Sequence, residues 1–133
     1  MKKLIIIAAV SLSGCSTLMD SLLMKYDNGE YRIINEIRTI SQLAKADCAD
    51  AQKIKTATTL LEFKGLELSN YSQHLPHNEQ IKVASTELNK MIKGLTDRYK
   101  SPEPVSPTFC KLKFENIEKN AETIQRVVGD KPR

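Results

Sequence analysis

The chain has no tryptophan, and aromatic residues make up only 5% of its 133 residues. Few large rings and a charged fraction of 27% suit helices with one wetted face better than the two facing layers of a β-sandwich. Histidine is nearly absent as well. His74 and His77 are the two present, Pro76 lies between them, and no third ligand accompanies them, so they read as solvated loop residues rather than a metal pair. There is no glycine-rich phosphate loop, no Gly-x-Ser-x-Gly and no His-Glu-x-x-His. Carboxylates are plentiful: Glu62, Glu67, Glu79, Glu87, Glu115, Glu118 and Glu122. They interleave with lysines, as Glu115 does with Lys119 four residues on, which describes a solvated helix face. No acid–base pair stands out. The expectation is a non-enzymatic chain with no catalytic residue, no metal site and no cofactor. Nor does any apolar run approach the roughly 20 residues that a membrane span needs.

The longest apolar run, Leu4 to Leu12, is broken once, by Ser11. Lys2 and Lys3 precede it, and the small residues Ser13 and Gly14 lead from it to Cys15. A basic start, a short apolar stretch and a small-residue cleavage zone describe a secretory signal. The four residues Leu12-Ser13-Gly14-Cys15 resemble the lipobox of bacterial lipoproteins position by position. The resemblance implies cleavage before Cys15, a diacylglycerol thioether on its sulfur and an acyl chain, such as palmitate, on its new amino group. Ser16 follows. In the enterobacterial sorting pattern, Ser at that position directs the protein to the outer membrane, anchored by lipid and facing the periplasm. Residues 1–14 are then signal peptide, and 15–29 a lipidated tether.

Removing residues 1 to 14 leaves 119, enough for one modest core. The formal charge of +4 includes Lys2 and Lys3; the remainder carries 18 basic and 16 acidic residues, or +2. That balance and the export signal argue against a nucleic-acid partner. With Cys15 assigned to lipid, Cys48 and Cys110 remain. Two cysteines in an exported chain read as a disulfide. The other use of such a pair, metal binding, lacks any Cys-x-x-Cys spacing here.

Within the tether, Leu18, Met19, Leu22, Leu23 and Met24 are apolar, and Asn28-Gly29 signals a turn. A first helix is expected over Glu30 to Lys45, with Ile33, Ile37, Ile40 and Ala44 on one face, widened by Ile34. Asp47 is the expected cap of a second helix, from about Cys48 to Ser69 or Tyr71. Its face is Ile54, Ala57, Leu61, Leu68 and Tyr71, with Leu60 added, and Gly65 interrupts it. Asn78 caps a third helix, whose seam is Ile81, Ala84, Leu88, Met91, Leu95 and Tyr99. Pro102, Pro104 and Pro107 form a stiff linker. Ser106-Pro107 restarts a helix carrying Cys110, Phe114, Ile117, Ala121, Ile124 and Val128, which ends at Gly129. The fold class is therefore all-α: a small three- to four-helix bundle over 30–129, one disulfide, and a charged tail at 130–133.

A lipid-anchored helical domain works by contact, and the expected partners are the membrane and an envelope protein. The small size, the helical character and Leu12 to Ser16 resemble the outer-membrane spanin subunits of phage lysis systems. That resemblance implies pairing with an inner-membrane coiled-coil subunit to fuse or disrupt the outer membrane in host cell lysis. Members of that family are shorter and rich in proline after the cysteine, whereas here proline gathers at Pro102 to Pro107. The competing expectations are a superinfection- or entry-exclusion lipoprotein that blocks a receptor or channel, and a host envelope scaffolding lipoprotein. The surfaces expected to be free for contact are the apolar tether, the proline linker and the tail beyond Gly129.

Overall fold

A computed structural model describes residues 24–133. Four helices follow one another: α1 (Asn28–Ala46), α2 (Ala51–Gln73), α3 (Glu79–Lys100) and α4 (Pro107–Gly129). Their connections, 47–50, 74–78 and 101–106, are too short to run the length of a helix, so each helix returns antiparallel to the one before it. Helix α1 packs against α2 and α4, and α3 closes the ring against the same two. Among the described residues there is no strand, and no helix is long and apolar enough to cross a membrane.

Caps set the helix starts. The Asp27 side chain accepts the Glu30 N–H at 2.8 Å, Asp50 accepts those of Gln52 and Lys53 at 3.1 Å, and Ser106 accepts that of Phe109 at 3.1 Å. Three expectations shift accordingly. Asn28-Gly29 is the first turn of α1 rather than a loop turn, because Asp27 caps ahead of it. A Cβ on Gly29 would collide with the Tyr71 hydroxyl, so only glycine admits that contact. Asp47 ends α1 and Asp50 starts α2, which leaves Cys48 in the connection rather than on the helix. Asn78 precedes α3 but makes no side-chain cap bond, because its amide is used inside the bundle. His77, with φ of 53°, turns the chain into it.

The α4 seam is buried in full: Cys110, Phe114, Ile117, Ala121, Ile124 and Val128. Helix α1 buries Ile33, Ile34, Ile37 and Ala44 as expected, with Ser41 beside them. The other two faces are rotated from expectation. In α2 the core positions are Ile54, Thr58, Leu61, Gly65, Leu68 and Ser72, while Leu60 and Tyr71 stand exposed. In α3, Ser85, Ile92 and Thr96 join Ile81, Leu88, Leu95 and Tyr99, and Ala84 and Met91 pack at the margin. Leu61 faces the core and Leu60, about 100° round the helix, faces outward; Thr58, Gly65 and Ser72 fill the remaining core-facing turns of α2.

Gly65 lies close against α3. A Cβ there would meet Asn89 Oδ1 at 2.9 Å and Ile92 Cδ1 at 3.0 Å on α3. Gly65→Leu should force α2 and α3 apart and cost about 3 kcal/mol. A urea-unfolding midpoint equal to that of the parent would contradict this packing.

Candidate functional site

The two ends of the bundle are built differently. At one end Cys48, from the α1–α2 connection, is bonded to Cys110 in the first turn of α4, with Cα atoms 5.7 Å apart. The proline segment lies on this end. Arg98 donates from Nη1 to the Glu103 carbonyl at 3.1 Å and from Nη2 to the Pro104 carbonyl at 2.9 Å, and Val105 packs against the core. The segment is thus held on the bundle and does not project from it.

At the opposite end the segment entering α1 meets the residues that follow α4. The Tyr26 N–H donates to the Pro132 carbonyl at 2.9 Å, and the Arg133 guanidinium lies over the Tyr26 ring. Between them sits a buried polar cluster. The Glu30 carboxylate accepts from Ser72 Oγ at 2.7 Å, Asn78 Nδ2 at 2.7 Å and Lys131 Nζ at 3.0 Å. Lys131 also donates to Asn78 Oδ1 at 2.8 Å. The side chains of Lys131 and Glu30 are 3% and 0% exposed. The tail read as 130–133 is thus part of the fold from Lys131 onward, and the domain extends beyond 30–129 at both ends. Nothing in local sequence pattern announces four polar residues drawn from positions 30, 72, 78 and 131.

Large apolar side chains stand exposed on α1 and α2. Leu60, Phe63 and Leu66 on α2 are 46%, 61% and 52% exposed, and Leu43 on α1 is 68% exposed. Leu43 and Leu60 line a groove of about 360 Å³ between α1 and α2, floored by Ile40, Ala44 and Ala57. Phe63 and Leu66 line a second groove of about 400 Å³, bounded by Tyr71 and His74. Grooves lined by exposed apolar side chains are candidate contact sites. Their rim is fixed by charge. Lys64 reaches Glu36 on α1 at 2.6 Å and Glu67 at 2.8 Å. The Lys64 ammonium holds the Glu36 carboxyl below its usual range, and the two carboxylates push the Lys64 ammonium above its own. Tyr71 donates to the Asp27 carboxylate at 2.9 Å, which raises its phenol.

The remaining expected site residues fall as follows. Cys15 lies outside the described residues, as does the apolar part of the tether up to Leu23. Cys48 and Cys110 are joined. His74 and His77 are both exposed, and no group of three metal-ligating side chains occurs among the described residues. Glu118 is drawn to Lys45 and Gln42 across the α1–α4 seam, and the Lys45 ammonium lowers its carboxyl. Comparison with family models, with curated proteins and with solved structures finds no match for this chain.

Proposed function

We propose that this chain is an outer-membrane lipoprotein, anchored through Cys15, whose helical domain acts without catalysis by protein contact in the periplasm. The observation that carries the reading is Leu12-Ser13-Gly14-Cys15 placed ahead of a disulfide-bonded bundle with an exposed apolar stripe. The disulfide suits an oxidising compartment, and the stripe of Leu43, Leu60, Phe63 and Leu66 supplies a surface that the bundle itself leaves uncovered. In its most specific form the reading is spanin-like. An inner-membrane partner then presents an amphipathic helix to this stripe, and the pair disrupts the outer membrane during host cell lysis. Each helix here is about 30 to 35 Å long at 1.5 Å per residue, so the partner supplies most of the distance across the periplasm.

One observation favours a second reading. The proline segment and the tail are both folded onto the bundle, so the domain offers a closed, blunt surface rather than an extended arm. Such a shape suits a superinfection- or entry-exclusion lipoprotein that blocks a receptor or channel. Deleting the gene separates the two. Spanin action predicts rounded cells with both membranes separate after wall degradation. Normal lysis together with lost protection against a second infection selects exclusion. The anchor is tested on its own: Cys15→Ser should abolish labelling with palmitate, and label retained in that variant would overturn it. Leu60→Asp with Phe63→Asp should abolish either phenotype while the melting temperature stays within a few degrees of the parent.

A further inference from the structure

We propose that the apolar segment ahead of the bundle, Leu18 to Leu23, packs into the groove lined by Phe63, Leu66, Tyr71 and His74 on α2, so that the chain covers part of its own exposed surface. Among the described residues nothing covers this groove: Phe63 is 61% exposed and Leu66 52%. Exposed apolar side chains gathered in one groove gain by leaving water.

The segment has the pattern to fill it. Its sequence is Leu18-Met19-Asp20-Ser21-Leu22-Leu23. Leu18 and Leu22 are four residues apart, as are Met19 and Leu23, while Asp20 and Ser21 fall between the pairs. At helical spacing the four apolar side chains gather within about 140° of one face and the two polar ones fall outside it.

Position decides between this occupant and any other. Tyr71 lines the groove, and its hydroxyl donates to the Asp27 carboxylate at 2.9 Å. Tyr26, one residue earlier, is held as well, by the Pro132 carbonyl. The segment therefore joins the bundle at a fixed point beside the groove. Leu23 lies four residues before Asp27 and Leu18 lies nine, extended reaches of at most about 14 and 32 Å. From Tyr71 the groove runs along α2 to Phe63, eight residues away, or about 12 Å. So short a connection presents the segment to the groove at an effective concentration on the order of millimolar. A second copy of the chain, or a separate partner, has to match that from free solution.

Occupation divides the exposed surface. Phe63 and Leu66 are covered, whereas Leu43 and Leu60, nearer the disulfide, line a separate groove that stays open. On the contact reading above, a partner helix that spans all four must first displace the segment. The packing itself needs neither the anchor nor that partner.

The test uses the full chain in maltoside micelles, with the photoreactive residue benzoylphenylalanine in place of Leu22. Irradiation should join it, within one chain, to the peptide carrying Phe63 to His74, identified by mass spectrometry. Phe63→Asp with Leu66→Asp should reduce that product several-fold with the melting temperature retained, and Leu60→Asp should leave it unchanged. Products between two chains would assign the groove to a second copy, and products with detergent alone would place the segment in the micelle. Either result overturns the proposal. Hydroxyl-radical footprinting gives an independent reading. Leu18→Asp with Leu22→Asp should raise oxidation of Phe63 and Leu66 several-fold and leave that of Leu43 unchanged. Oxidation equal to that of the parent at all three would also overturn it. Palmitate labelling reports separately on the anchor, so failure of the one is distinguishable from failure of the other.

Discussion

Lys131→Ala should cost about 3–5 kcal/mol, the largest loss expected from a single change in this domain. The substitution leaves the Glu30 carboxylate buried without its cation, and it removes a donor from Asn78 Oδ1. Two residues follow this position in the sequence, a region where truncation is ordinarily harmless. Here it is not, because the turn that follows α4 delivers the ammonium into the core. The double change Glu30→Leu with Lys131→Met should recover part of the loss, since a buried ion pair can be replaced by apolar side chains of similar volume. Recovery should be incomplete, because Ser72 Oγ then loses its acceptor. Thermal unfolding followed by circular dichroism measures both. A Lys131→Ala protein within about 1 kcal/mol of the parent would refute this account of the pair.

Removing the disulfide should have the next largest effect. Cys48→Ser with Cys110→Ser opens a closed loop whose ends are 62 residues apart. The chain-entropy relation assigns such a loop about 4 kcal/mol. The expected result is a sharply lowered melting temperature with helix content largely kept at low temperature, because the four apolar seams still have to be buried. Two alkylatable thiols in exported native protein would show that the bridge does not form in the cell. An unchanged midpoint in the double serine variant would show that it contributes nothing to stability.

The contrast between α4 and α2 shows what sequence pattern can carry. In α4 every seam position from Cys110 to Val128 is large or small but apolar, and the 3–4 spacing is uninterrupted, so the buried face reads directly. In α2 apolar residues lie on both sides, and the core turns fall on Thr58, Gly65 and Ser72, whose merit is small size rather than hydrophobicity. The pattern therefore points Leu60 and Tyr71 inward, whereas both stand outward. The four helices and the Cys48–Cys110 bridge were legible because each depends on local pattern or on elimination between two residues. The Glu30–Ser72–Asn78–Lys131 cluster was not. Charged residues near chain ends ordinarily face water, and only the closed ring of helices brings these four together.

The covalent bridge also decides how the domain would respond to tension. A pull on its amino end meets α1 first, whose 19 residues lengthen to roughly 65 Å when drawn straight. The force then arrives at Cys48 and passes through the bond to Cys110, bypassing α2 and α3. Those two helices stay off the line of force however hard the chain is drawn. Mechanically, the molecule is a cross-linked block of fixed length between two extensible leads, α1 and α4.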